Sequence, residues 1–115
     1  MKVYLGVRQK AERSNAYAVY IEEDGTRTEL TQRKRLSPIG FRWGQLGAGA
    51  TELAAAILRD AHGEEVPPYL RARFTRLFVA QWPVVEGECW RITEDEVKSW
   101  LLPELHWHGN LHDPW

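Results

Sequence analysis

At 115 residues and 13.3 kDa the chain is long enough for one hydrophobic core and too short for two. Its 43% hydrophobic and 27% charged content excludes wholesale disorder, and a formal net charge of −1 argues against a dedicated nucleic-acid binder held by general electrostatics. No apolar run approaches the roughly 18 residues that span a bilayer, Met1-Lys2-Val3-Tyr4 opens no signal peptide, and Cys89 is the single cysteine, which leaves neither an internal disulfide nor a cysteine-based zinc site. The expectation is a cytoplasmic protein without a cofactor. Charge is unevenly spread: residues 1–63 hold ten Lys/Arg against seven Asp/Glu, and residues 64–115 five against nine, which permits a polar partner surface on each half and is equally explained by ordinary solvated faces.

Lys2–Arg8 alternates, with Val3, Leu5 and Val7 on one face and Tyr4, Gly6 and Arg8 on the other, as a half-buried strand does. Gln9–Ser14 is polar and reads as a connection. A second strand follows over Ala16–Glu23, with Tyr17, Val19 and Ile21 alternating against Ala18, Tyr20 and Glu22. Asp24-Gly25 is the dipeptide of a type I′ hairpin turn, which needs positive φ at both central residues. The resulting register sets Glu22 against Arg27, Ile21 against Thr28 and Val19 against Leu30, with the charges on the wet face and Val19, Ile21 and Leu30 on the dry one.

Arg33-Lys34-Arg35 lies in a polar run ending at Ser37-Pro38; it reads as a solvated loop or as a contact for a phosphate or acidic partner. Gly40-Phe41-Arg42-Trp43-Gly44-Gln45-Leu46-Gly47-Ala48-Gly49 then leads into a helix of about three turns, whose Leu53, Ala54, Ile57, Leu58 and Ala61 form one apolar stripe and which Gly63 ends. Pro67-Pro68 suits the first turn of a second helix, with Leu70, Phe74, Leu77 and Phe78 as its apolar face and Arg71, Arg73 and Arg76 largely off it. Pro83 closes that element. Glu88–Ile92 is a short strand carrying Trp90, and Thr93-Glu94-Asp95-Glu96 is a capping box opening a third helix that buries Val97, Trp100 and Leu101 and stops at Pro103.

The ordered pattern Gly40-Phe41-x-Trp43-Gly44-x-x-Gly47-x-Gly49-x-x-x-Leu53-Ala54-x-Ala56-Ile57-Leu58, then the Phe74 helix, then Trp90-x-Ile92-Thr93-x-x-Glu96-Val97-x-x-Trp100-Leu101, resembles the small bacterial and phage domains grouped as domain of unknown function 6166. The match covers roughly residues 2–102. It implies a small domain of bacteria and mobile elements without an assigned activity or catalytic residues. This chain departs from the usual pattern at Arg42, at Gln45-Leu46 and at Ala50.

Two sites compete. Gly44-x-x-Gly47-x-Gly49 at a helix start could cradle an anion, with Arg42 and the Arg33–Arg35 run nearby, although no P-loop lysine and no βαβ unit accompany it. The structural alternative is that the glycines let the loop pass close beneath Phe41 and Trp43, which plug the core. His106, His108 and His112 with Asp113 are weak candidates for a divalent metal, His106 and His108 sharing one side if the segment is a strand. No serine sits in a nucleophile elbow and no cue lowers the pKa of Cys89, so no catalytic residue is assigned.

The fold expected is α+β, residues 1–103 forming one domain with an antiparallel three- to four-stranded sheet packed on one face by about three helices, and 104–115 a C-terminal tail. Phe41, Trp43, Leu53, Ile57, Phe74, Phe78, Trp90, Val97 and Trp100 are its core. The function expected is a non-enzymatic binding module acting on a protein or protein–nucleic acid complex, in its most specific form an inhibitor of a host defence complex of the anti-CRISPR kind. Candidate contacts for the partner or an anion are Arg33, Lys34, Arg35, Arg42, Gly44, Gly47, Gly49, Arg71, Arg73 and Arg76. The alternative is a nucleotide or phosphate ligand on the glycine-rich loop.

Overall fold

A computed structural model describes residues 1–10, 15–31 and 40–110 of the chain. Four strands, β1 (Lys2–Lys10), β2 (Asn15–Glu23), β3 (Thr26–Glu29) and β4 (Gly87–Thr93), form an antiparallel sheet in the order β3-β2-β1-β4. Three helices complete the α+β fold: α1 (Ala48–His62), α2 (Pro68–Leu77) and α3 (Glu94–Asn110), with a single 3-10 turn at Val79–Gln81 after α2.

The hairpin register is the one its turn dictates. Asp24 and Gly25 both adopt positive φ, Glu22 faces Arg27, Ile21 faces Thr28, and the Leu30 amide donates to the Val19 carbonyl at 2.8 Å. Val19 is buried, and Ile21 and Leu30 pack against the core. In β1 the helix-facing set is the one that looks polar. Tyr4, Gly6 and Arg8 stand opposite Ile21, Val19 and Tyr17 of β2, and Tyr4 is fully buried among the helices.

Gly6 explains why a glycine belongs there. A Cβ on it would lie 2.2 Å from Nε1 of Trp90, whose indole rests on the glycine backbone. The neighbouring strand is irregular at the same point: Gly6 faces Trp90 and Val7 faces Glu88, so Cys89 is the extra residue of a bulge. The bulge breaks the alternation of β4 and leaves both Cys89 and Trp90 buried.

α1 starts at Ala48, inside the glycine stretch, and is therefore a turn longer than its apolar stripe predicts; Gly63 closes it in the left-handed conformation. α2 begins with Pro68 in its first turn. Its predicted face is corrected at Leu77, which is 47% exposed. The helix ends there, and the chain turns at Phe78 into the 3-10 segment, bringing Phe78 and Val79 inward instead. The capping box of α3 is formed, the Glu96 amide donating to Thr93 Oγ1 at 3.0 Å and the Thr93 amide to Glu96 Oε1 at 2.9 Å.

Pro103 does not stop α3, which runs on to Asn110. An internal proline removes one bond, to the carbonyl four residues back, and here that residue is the exposed Ser99, where water can take the donor's place. Beyond the proline, Glu104 pairs with Arg73 of α2 and Leu105 packs against the core, so tertiary contacts offset the break.

All nine residues expected in the core are there, with Phe78 and Trp100 at its partly buried margin. The rings form a continuous chain: Tyr17 meets Trp43 edge-on at 4.7 Å, Trp43 meets Trp90 at 5.6 Å, Trp90 stacks on Trp82 at 4.0 Å, and Phe74 links Trp82 to Phe78 and Trp100. It runs from β2 and β4 of the sheet through α2 to α3. Pairs of this kind contribute about 0.5–1.5 kcal/mol each beyond their burial.

Candidate functional site

The loop leading into α1 sets its two rings inward, Phe41 at 7% and Trp43 at 1% exposure, and Gly44 and Gly49 serve that placement. Gly44 has φ 85, and a Cβ there would come within 2.4 Å of Val84. Its amide donates to the Val79 carbonyl at 3.0 Å, while the Trp43 indole N–H donates to the Pro83 carbonyl at 3.1 Å. The loop is thus clamped on the segment between α2 and β4. Gly49, buried in the first turn of α1, lies against the Gly40 carbonyl and the stem of Arg42, leaving no room for a side chain. Gly47 precedes the helix with open space about it.

Two apolar segments meet at this clamp. Leu46 is 66% exposed on one, and Val84 and Val85 are 41% and 47% exposed on the other. They were not among the residues that the sequence singled out. The available signal was Leu46 within a glycine-rich loop and a Val-Val pair following a proline, both apolar where a turn is ordinarily polar.

Arg42 is partly buried beside this surface. Its Nη1 donates to the Phe41 carbonyl at 2.7 Å, and its guanidinium carbon lies 4.3 Å from the centroid of the Tyr17 ring. Arg8, across the β1–β2 pair from Tyr17, places its own guanidinium carbon 6.0 Å from the same ring. The structure therefore sets Arg42 and Arg8 at the same tyrosine ring, where the sequence had placed Arg8 only as one residue of a strand. α1 itself carries no acid in its first turn and no side-chain cap, so its leading amides and the positive end of its dipole add to the charge there. Glu52, a turn further along α1, is buried.

Other sequence candidates lie elsewhere. Arg71, Arg73 and Arg76 are on α2; Arg73 is tied to Glu104, Arg71 is partly buried with no acceptor for its Nε among the described residues, and Arg76 is exposed. Arg33, Lys34, Arg35, His112 and Asp113 fall outside the described residues, as does the side chain of His108. His106 is exposed and stands on α3 rather than on a strand. Positions 106 and 108 of a helix do not share a face, which removes the geometry that spacing had offered to a metal. No cluster of three or more potential metal ligands is present among the described residues.

A second polar group holds the opposite end of β1. The Tyr4 hydroxyl donates to Asp60 Oδ2 of α1 at 2.6 Å, and Lys2 bridges Asp60 at 3.2 Å and Glu94 of α3 at 3.6 Å. Burial raises the Tyr4 pKa far above the usual phenol range, and the bond to Asp60 raises it further. For Lys2, burial opposes the charge, but Asp60 and then Glu94 outweigh it and the pKa is raised. This is a tie between strand and helices, with every member engaged. Cys89 is buried with its thiol on the Val85 carbonyl at 3.1 Å, a packing position.

Fold and site together define a small α+β domain with an aromatic core and an apolar surface edged by arginines. Residues 4–103 match the model of the family of unknown function DUF6166, and the chain belongs to that family. No curated protein and no solved structure matches it. Among the described residues no helix is long and apolar enough to cross a membrane.

Proposed function

We propose that the protein is a non-enzymatic binding module that occludes or bridges a partner protein or protein–nucleic acid complex. The observation that carries this reading is the exposure of Leu46, Val84 and Val85 on two segments locked together at Gly44. Apolar side chains held on a fixed frame lose little entropy when covered, as an interface centre requires. In its most specific form the module is an inhibitor of a host defence complex, of the anti-CRISPR kind, acting in the cytoplasm and carried by a phage or another mobile element. That form leans on the bacterial and phage setting of the resemblance. Capture from a bacterial host lysate tests the reading, with wild-type protein beside a Leu46→Asp/Val85→Asp variant that melts at the same temperature. The partner is expected on the wild type and absent from the variant; equal capture by both, or no macromolecule enriched by either, overturns it.

A nucleotide or phosphate ligand at the start of α1 is the second reading, favoured by the uncapped, acid-free first turn of that helix beside Arg42. A nucleotide at a hundred times its Kd adds about 2.7 kcal/mol to stability, so thermal shift against a panel of nucleotides and phosphate decides it. No shift with any of them removes this reading.

A further inference from the structure

We propose that Arg8 and Arg42 form a clamp that receives the carboxylates of an acidic, apolar-flanked segment of the partner protein, seated beside Leu46, Val84 and Val85. This rests on the binding-module reading and adds the chemistry of the partner.

Arg27, Arg59, Arg73 and Arg91 each meet a carboxylate, from Glu22, Glu65, Glu104 and Glu88. Of the described arginines, Arg8, Arg42, Arg71 and Arg76 meet no carboxylate among the described residues, and of these only Arg8 and Arg42, both partly buried, share a tyrosine ring. A guanidinium stacked on a ring keeps its in-plane N–H groups available, and their fork matches a carboxylate. Among the described residues Arg42 spends only Nη1, on the Phe41 carbonyl, and its stem lies against Gly49. Arg8 holds a buried Nε with no acceptor among the described residues, so its present seat leaves a donor unsatisfied. Swinging it onto an incoming carboxylate satisfies that donor.

Position joins this pair to the apolar surface. Arg42 and Gly44 are two residues apart on one loop, at most about 7 Å between their Cα atoms, and Gly44 is where Val84 touches. An occupant spanning both must therefore carry apolar and anionic side chains close together. A nucleic-acid strand fits less well, since two arginines neutralise about two phosphates and a chain of net charge −1 supplies little more attraction.

The test uses the full chain, isotope-labelled, and a short synthetic peptide alternating glutamate with leucine, with a glutamine-for-glutamate peptide and a poly-thymidine oligonucleotide as comparators. Arginine Nε–Hε signals and backbone amides are followed together by NMR. Expected are saturable shifts of the Arg8 and Arg42 Nε–Hε signals with the acidic peptide, weakened by salt, with affinity falling about tenfold in Arg8→Gln and in Arg42→Gln and partly kept in the lysine variants. The wild-type spectrum separates these outcomes even where a variant folds poorly. Shifts at Leu46 and Val85 without any at the guanidinium groups overturn the clamp and leave the binding surface standing. Equal affinity for the glutamine peptide, tighter binding of the oligonucleotide at the same arginines, or no binding of the acidic peptide also overturns it.

Discussion

On the helix-facing side of the sheet Tyr17, Trp43, Trp90 and Trp82 meet ring to ring, whereas on the opposite side Leu5 is equally inaccessible under a very different cover. Leu5 stands between Tyr20 of β2 and Arg91 of β4. Arg91 holds Glu88 at 2.9 Å on its own strand and reaches across β1 to Glu22 on β2 at 3.4 Å; Arg27 of β3 holds the same Glu22 through Nε at 2.9 Å and lies over the Tyr20 ring. Charges on three strands, β2, β3 and β4, are thus laced across β1 and Leu5. One face is buried by shape, the other by long side chains laid flat, and only the first needs tight packing.

The contrast breaks first at Trp43. Trp43→Ala removes the centre of the ring chain and a buried N–H bond, and should cost about 3–5 kcal/mol in urea unfolding. Leu5→Ala, at a side chain with no solvent exposure, should cost about 2–3 kcal/mol in the same unfolding measurement, and a cost under about 1 kcal/mol would show that the charged cover admits water. Gly6→Ala forces Trp90 aside and should cost about 1–3 kcal/mol, with near-UV circular dichroism of the tryptophans altered as well. Tyr4→Phe loses the bond to Asp60, for about 1–2 kcal/mol.

The same substitution sharpens a pH effect. The folded pKa of Tyr4 is raised by burial and Asp60, so its stabilising contribution is whole below the unfolded value near 10 and declines as pH rises above it. Wild type should lose stability there more steeply than Tyr4→Phe does. The smallest effect is expected on the outer face. Glu22 is lowered by its bond to Arg27 and Glu88 by its bond to Arg91, so their contribution is present above the ordinary carboxylate pKa and lost as pH falls through the folded one. Because these groups are exposed, Glu22→Gln should shift the acid limb of the stability profile slightly at low salt and not at all at high salt.

Elements with a local rule were readable from the chain. Asp24-Gly25, the Thr93–Glu96 box, the α1 stripe and the proline start of α2 each act within a few residues, and each formed as expected. What the sequence hid depends on distant partners. Alternation in β1 pointed to Val3, Leu5 and Val7, but the helix side belongs to Tyr4 and Gly6, because the space that Trp90 occupies is visible only once β4 lies beside β1. Pro103 spelled a helix stop, and Arg73 and the core beyond it overrode that local preference. At the candidate site the inward placement of Phe41 and Trp43 was legible, whereas the approach of Arg8 and Arg42 to the Tyr17 ring and of Val84 to Gly44 required tertiary closure.

Trp82 and Trp90 lie 4.0 Å apart with ring planes 21° from parallel, near enough for their electronic transitions to mix. Trp82 immediately precedes the Pro83 to Val85 segment, so anything that seats there and tilts one indole against the other will change an exciton signal native to the chain. The protein carries its own optical gauge of occupancy, readable without a label.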